Sequence, residues 1–245
     1  MQLTMSGESI ETLMYRGTKA ILELKISYPQ IMGPLSKQSE YRFNDLYCKQ
    51  ARALNRQART EYYHKASEEA RMAEEQEYDF TLHSLIRTFA TTRLEQRFTS
   101  VVFDRYQYTG GPHGTTVRNG NTWDLLTGSQ VPLPYFFTKN APYRKVILQQ
   151  IERQISGQKE REEIPFFENP LRNAKQCFNE TNYYLTNNSL AVFYPLYTLA
   201  PYYSGILSYK IPFEALDGCW AGGKRPSETA QVNVGFSSRF GTELL

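Results

Sequence analysis

The sequence predicts an α+β fold: an antiparallel meandering sheet packed against one long helix and a second, shorter helix. Three observations lead there. From Phe98 to Tyr108 the chain alternates Val101, Phe103, Arg105 and Gln107 with Val102, Asp104, Tyr106 and Tyr108, the period of two that marks extended backbone. From Asp45 to Glu77 there is no Gly or Pro, and Leu46, Ala51, Leu54, Ala58, Tyr62, Ala66, Ala70 and Ala73 recur near helical spacing. The last third returns to aromatic, β-branched runs, Asn182 to Thr186 and Ser189 to Tyr194, on either side of Asn187-Asn188.

Taken in order, residues 1–18 are polar and are expected to form a flexible N-terminal segment. Lys19 to Tyr28 alternates as a first strand, which Pro29 and Gly33-Pro34 should end. Asn44 is a suitable helix cap because its side chain can accept a backbone N–H bond, so the long helix is expected from Asp45 to about Glu77. Its narrow Ala stripe suits close approach to a sheet, or self-association, and its charged faces suit solvent. Thr81 to Thr92 leans to strand and should form a hairpin with the run from Phe98. The turn Thr109-Gly110-Gly111-Pro112-His113-Gly114 separates that run from Thr115 to Asp124. A third run, Gln130 to Leu133, follows the Leu126-Thr127-Gly128-Ser129 turn. Pro142 opens a second helix, Tyr143 to Gln158, with Val146, Ile147, Ile151 and Ile155 on one face. Asn187-Asn188 makes a hairpin turn, since Asn tolerates positive φ. Tyr209 to Phe213 is a last strand, confined to an edge or strand end by Pro212. The folded unit is then 19–218, with a strand–helix part over 19–80 and a sheet part over 81–218, before a poorly structured tail over 219–245.

Composition narrows the function classes. With 245 residues the chain can bury a proper core, and 40% hydrophobic against 22% charged residues excludes wholesale disorder. A net charge of +3 gives no concentrated basic patch, which argues against nucleic acid as a partner. No run of about 18 apolar residues is present to span a bilayer. The chain reads as cytoplasmic if complete as given, and as extracytoplasmic if an export signal or anchor was removed. Cys48, Cys177 and Cys219 contain no CxxC pair; one bridge, such as Cys177 with Cys219, stays open. The 18 Tyr and 14 Phe are the unusual feature, and Tyr serves half-wet surfaces where the ring is buried and the hydroxyl meets water.

Motifs for chemistry are sparse. His113 could serve acid–base or metal work, but no HxxxH or HxH spacing joins it to His64 or His83, and a Gly-Pro turn needs no function to explain it. GxxxxGK[ST] and GxSxG are absent, and Asp104, Asp124 and Glu152 read as isolated surface carboxylates. No cofactor or metal site is expected, and no catalytic residue. The run from Phe193 to Gly205 is too rich in Tyr for a plain linker. It is either a recognition surface, since Tyr gives rigid contact area at low entropy cost, or a loop whose rings cover the sheet end.

Several ordered motifs resemble one family. Tyr28-Pro29-Gln30-Ile31, Tyr108 to Gly114, Thr122-Trp123-Asp124-Leu125-Leu126-Thr127-Gly128, Tyr184-Leu185-Thr186, Tyr197 to Tyr202 and Lys210-Ile211-Pro212-Phe213 together look like the RsiV-like domain, over roughly Lys19 to Leu216. That domain is the extracytoplasmic, lysozyme-binding part of a bacterial anti-sigma factor, and a similar domain accompanies some peptidoglycan deacetylases of Gram-positive bacteria. The resemblance implies a non-enzymatic binding role at the cell envelope, toward a protein such as lysozyme or toward cell-wall fragments. The alternative is a peptidoglycan-modifying enzyme or an enzyme accessory. The candidate contacts are Tyr108, Gly110, Gly111 and His113 in the glycine turn, with Tyr194, Tyr197, Pro201, Tyr202 and Tyr203 in the Tyr-rich loop.

Overall fold

The computed structural model describes residues 2–216 and 218–222. Most of the expected tail, from 223 on, lies outside the described residues. The chain begins with a hairpin: β1 (Thr4–Arg16) pairs antiparallel with β2 (Lys19–Met32) along its whole length, across Gly17, whose φ of 59° suits a tight two-residue turn. The expectation of a flexible segment over 1–18 is corrected here. β1 is an edge strand in which only Met14 is fully buried, while Met5, Ile10, Thr12 and Arg16 are half-buried and Leu13 and Tyr15 are exposed, so polar and apolar residues fall on both faces and hide the pattern. β2 also continues past Pro29. Its parallel pairing with the next strand of the sheet ends at Ile26, so Pro29 interrupts no ladder on that side.

The long helix starts earlier than the Asn44 cap would put it. Ser36 caps α1 (Lys37–Gln57) by accepting from the Ser39 amide at 3.1 Å. Asn44 lies inside the helix and turns to the end of β2, where its Oδ1 accepts from the Ile31 amide at 2.7 Å and its Nδ2 donates to the Ile31 carbonyl at 3.0 Å. A π-helical turn, Ala58–Tyr62, joins α1 to α2 (Tyr63–Glu75) without breaking the rod. The Ala stripe is consumed by the sheet: Ala51, Ala58, Ala66 and Ala70 share a buried cluster with Leu22, Leu24 and Ile26 of β2.

The helix returns the chain to β3 (His83–Leu94), which pairs parallel with β2; the other ladders are antiparallel. β3 pairs with β4 (Phe98–Tyr108), and β4 with β5 (Thr115–Asp124). The strand expected over Gln130 to Leu133 is shorter and earlier: β6 is only Ser129–Gln130, Pro132 cannot donate to a ladder, and a 3-10 turn, Leu133–Phe136, follows. The six strands lie in chain order. One face carries Leu85, Val101, Phe103 and Trp123 toward the helix, where the Trp123 indole donates to the Tyr47 hydroxyl at 2.8 Å.

The other face meets a second sheet. α3 (Tyr143–Glu160) buries Ile147, Ile151 and Ile155, and the short α4 (Pro170–Gln176), which the sequence reading missed, follows it. Then β7 (Tyr183–Leu185), β8 (Ser189–Tyr194) and β9 (Leu207–Pro212) form a three-stranded antiparallel sheet, with Pro212 at a strand end. The Asn187-Asn188 turn needs no positive φ; the Thr186 and Ser189 hydroxyls, 2.6 Å apart, close it. Val102 of β4 packs with Tyr184, Ala191 and Phe193 between the sheets. Gly120 of β5 lets the two backbones touch, since a side chain there would collide with the Tyr183 carbonyl oxygen. Cys219 and Trp220, placed in the tail by sequence, are packed: Trp220 bridges to Phe137 and stacks on Phe213. The three cysteines are free, so Cys177 and Cys219 do not pair.

Candidate functional site

The glycine turn and the Tyr-rich loop come together. In the turn, Gly110 and Gly111 take φ of 87° and 92°, conformations that side chains rarely adopt, and the Tyr108 hydroxyl donates to the Gly111 carbonyl at 2.9 Å. Gly110 is further fixed by Glu69 of α2, whose carboxylate would stand 2.6 Å from an added Cβ. His113 is exposed and held on three sides. Its Nδ1 lies 3.0 Å from the Gly114 carbonyl, which can only accept, so the proton sits on Nδ1. In the neutral ring Nε2 then accepts from the Tyr197 hydroxyl at 3.1 Å. Its face stacks on Tyr202, with ring centres 4.0 Å apart and planes 18° apart.

Tyr197 achieves its reach by strain. It is the third residue of the turn Pro195–Thr198, closed by the Thr198 amide on the Pro195 carbonyl at 3.2 Å, and its φ is 61°. That position ordinarily takes Gly or Asn, and a left-handed Tyr costs on the order of 1 kcal/mol. Tyr202 and Tyr203 follow Pro201 in a 3-10 turn, and Tyr203 is 76% exposed. Tyr194 is a different case. It is buried, its hydroxyl donates to the Ala174 carbonyl at 2.9 Å, and burial raises its pKa, so it belongs to the core and offers no contact.

Beside this cluster opens a cleft of about 350 Å³. Its floor is Asp104, Thr116 and Arg118 from β4 and β5; its wall is Leu196, Tyr202, Tyr203 and Ile206. Asp104 and Arg118 are cross-strand partners joined by two bonds, Nε to Oδ1 at 2.8 Å and Nη2 to Oδ2 at 2.6 Å. Arg118 Nη1 also donates to Ser208 of β9 at 3.2 Å, tying the second sheet to the floor. The bonds to Asp104 hold the Arg118 guanidinium above its ordinary pKa, so this pair is a neutral, polar, fixed fork. An aromatic wall over such a floor accepts ligands with apolar faces and polar edges.

Asp104, expected from sequence to be an isolated surface carboxylate, is instead paired with Arg118, which no motif marks. The signal was present: both lie seven residues from Gly111, and a hairpin centred there must pair them. Asp124 was also read as a surface carboxylate, yet it is fully buried, accepting from the Leu126 amide at 3.0 Å and the Tyr135 hydroxyl at 2.9 Å. It shapes a corner and faces no cleft. Among the described residues, no group of three or more His, Cys, Asp or Glu stands together as metal ligands, and no helix is long and apolar enough to cross a membrane.

Residues 16–116 match the profile of a family described as deacetylase PdaC, and residues 135–214 match that of a family of unknown function, DUF3298. No curated protein matches the chain. Solved structures that share its fold include two of the DUF3298 family. One is a DUF3298 family member from Bacteroides fragilis, 15% identical, with a TM-score of 0.67 over 90% of this chain and 94% of that one. Another is a DUF3298 family protein from Pseudomonas aeruginosa, 14% identical, with a TM-score of 0.60 over 91% of this chain and 96% of that one. His113 comes from the first matched stretch, and Tyr197 and Tyr202 come from the second.

Proposed function

We propose that this chain is a non-catalytic binding domain of a bacterial cell-envelope or sensing protein, and that it recognises lysozyme or a cell-wall fragment. One observation carries this reading. Two segments more than 80 residues apart in sequence, the glycine turn and the Tyr-rich loop, are locked together through His113, Tyr197 and Tyr202 beside the Asp104–Arg118 cleft. The assembly holds a strained Tyr197 and leaves Tyr203 exposed, which is costly for a mere loop cover and suited to a recognition surface. Tyr108, Gly110 and Gly111 shape the turn, Pro201 starts the wall, and His113, Tyr197, Tyr202 and Tyr203 are the contacts. On this reading the site works outside the cytoplasm, where such ligands occur.

A second reading rests on the match of residues 16–116 to the deacetylase PdaC profile: the same surface would hold glycan for a deacetylase module, as an accessory. Calorimetric titration with C-type lysozyme and with soluble peptidoglycan fragments separates the two. Lysozyme heat, lost by at least tenfold in affinity on Tyr203→Ala while the melting temperature stays put, supports the sensing role. Glycan heat alone supports the accessory role. Silence from both at micromolar protein would remove this surface as their binding site.

A further inference from the structure

We propose a second, separate site for a doubly charged oxyanion, a phosphoryl or sulfate group, held by Arg87 and Arg105 between the long helix and the helix-facing side of β3 and β4. The two residues are direct cross-strand partners, so both side chains leave the same face of the sheet. Like charges set opposite each other repel, and neither arginine is paired with a carboxylate among the described residues.

Arg87 is only 8% exposed. Its Nε reaches the Ser27 carbonyl at a long 3.4 Å, its guanidinium lies 5.3 Å from the centre of the Phe103 ring, and its Nη2 is buried without a partner. A buried guanidinium with an open donor keeps an uncompensated desolvation penalty that an anion would relieve. Burial pushes its pKa down to about 10; Tyr47 opposes this, and the neighbouring Arg105 adds a smaller lowering.

The helix above this point is also irregular. The π-helical turn Ala58–Tyr62 ends on Tyr62, whose hydroxyl donates to Gln107 Oε1 at 2.8 Å, and Gln107 follows Arg105 on the same face of β4. Single π turns concentrate at functional positions. On the far side of Arg105, its β5 partner Val117 is 43% exposed, which leaves an approach from solvent. Two unneutralised guanidinium forks call for a dianion, because one carboxylate would balance only one of them.

The test compares thermal midpoints of the full chain in phosphate, sulfate, glycerol phosphate and acetate against chloride at equal ionic strength, for the wild type, Arg87→Met and Arg105→Gln. Phosphate and sulfate should raise the wild-type midpoint saturably, by roughly 3–6 °C at tenfold over Kd, and Arg105→Gln should abolish the rise. Tighter binding of glycerol phosphate than of phosphate assigns the group to a larger phosphorylated ligand; equal binding assigns it to the free anion. Should Arg87→Met fail to fold, the half-buried Arg105→Gln carries the comparison. No shift beyond chloride, an equal shift with acetate, or an unchanged shift in Arg105→Gln overturns the site.

Discussion

Asp104 and Arg105 are neighbours on β4 and have opposite fates. Asp104 goes to the face covered by the second sheet, where Arg118 takes both its oxygens and Ser208 takes the remaining Arg118 fork. Arg105 goes to the helix face, where its cross-strand partner is another arginine. One face therefore holds a neutral polar pair inside an aromatic cleft, and the other holds two like charges with no carboxylate partner among the described residues. The lesson is that alternation along one strand can supply two recognition surfaces of different chemistry, provided each face has its own cover.

The largest test strikes the contact that brings the second sheet onto the first. Gly120→Val should destabilise the chain by roughly 3 kcal/mol or more in chemical denaturation, because the new side chain meets the Tyr183 carbonyl and neither backbone can yield. A variant within 1 kcal/mol of the wild type would break the account of how the cleft is built. Asp104→Asn comes next, at about 1–2 kcal/mol. The pair is partly shielded, with side chains 30% and 21% exposed, so solvent screens some of the loss while Arg118 is left without its carboxylate.

A pH scan probes the helix face. His83 is fully buried, and its pKa is lowered chiefly by that burial, with Glu69 at 3.0 Å opposing. The unfolded chain then binds a proton more readily than the folded one. Stability is fully present above the ordinary value of 6.5 and is lost as the pH falls below it toward the folded pKa. Denaturation midpoints between pH 7 and 5 should fall, and His83→Gln should flatten that slope; an unchanged slope would contradict it. Smallest, and opposite in sign to Asp104→Asn, Arg105→Gln in chloride should stabilise by about 0.5 kcal/mol through removal of like-charge repulsion. Equal destabilisation by both substitutions would erase the contrast between the faces.

Much of this was legible in the sequence, and what was not has physical causes. The α+β class was legible: the helix stripe follows from burial on one face, and β4, buried on both faces over Phe98–Phe103, shows itself by its β-branched and aromatic residues. β1 was hidden because an edge strand buries too few side chains to leave such a period. The parallel β2–β3 ladder was hidden because chain order does not reveal which edge a long crossover returns to. Asn44 misled because the same side chain that caps helices can also bond a strand's backbone. At the site, His113, Tyr202 and Tyr203 carried visible signals in glycines and clustered rings. Asp104 and Arg118 did not, since each is an ordinary charge until the hairpin register pairs them. Tyr194 looked like its loop neighbours, and only its place at the end of β8 sends it inward.

Hydrogen exchange of the full chain, alone and with lysozyme or a soluble peptidoglycan hydrolysate at saturating concentration, tests the central claim most directly. The two-segment surface predicts slowed exchange in residues 108–118 and 196–206 together with one of these ligands. Slowing confined to one of the two segments, or found only elsewhere on the chain, would contradict it.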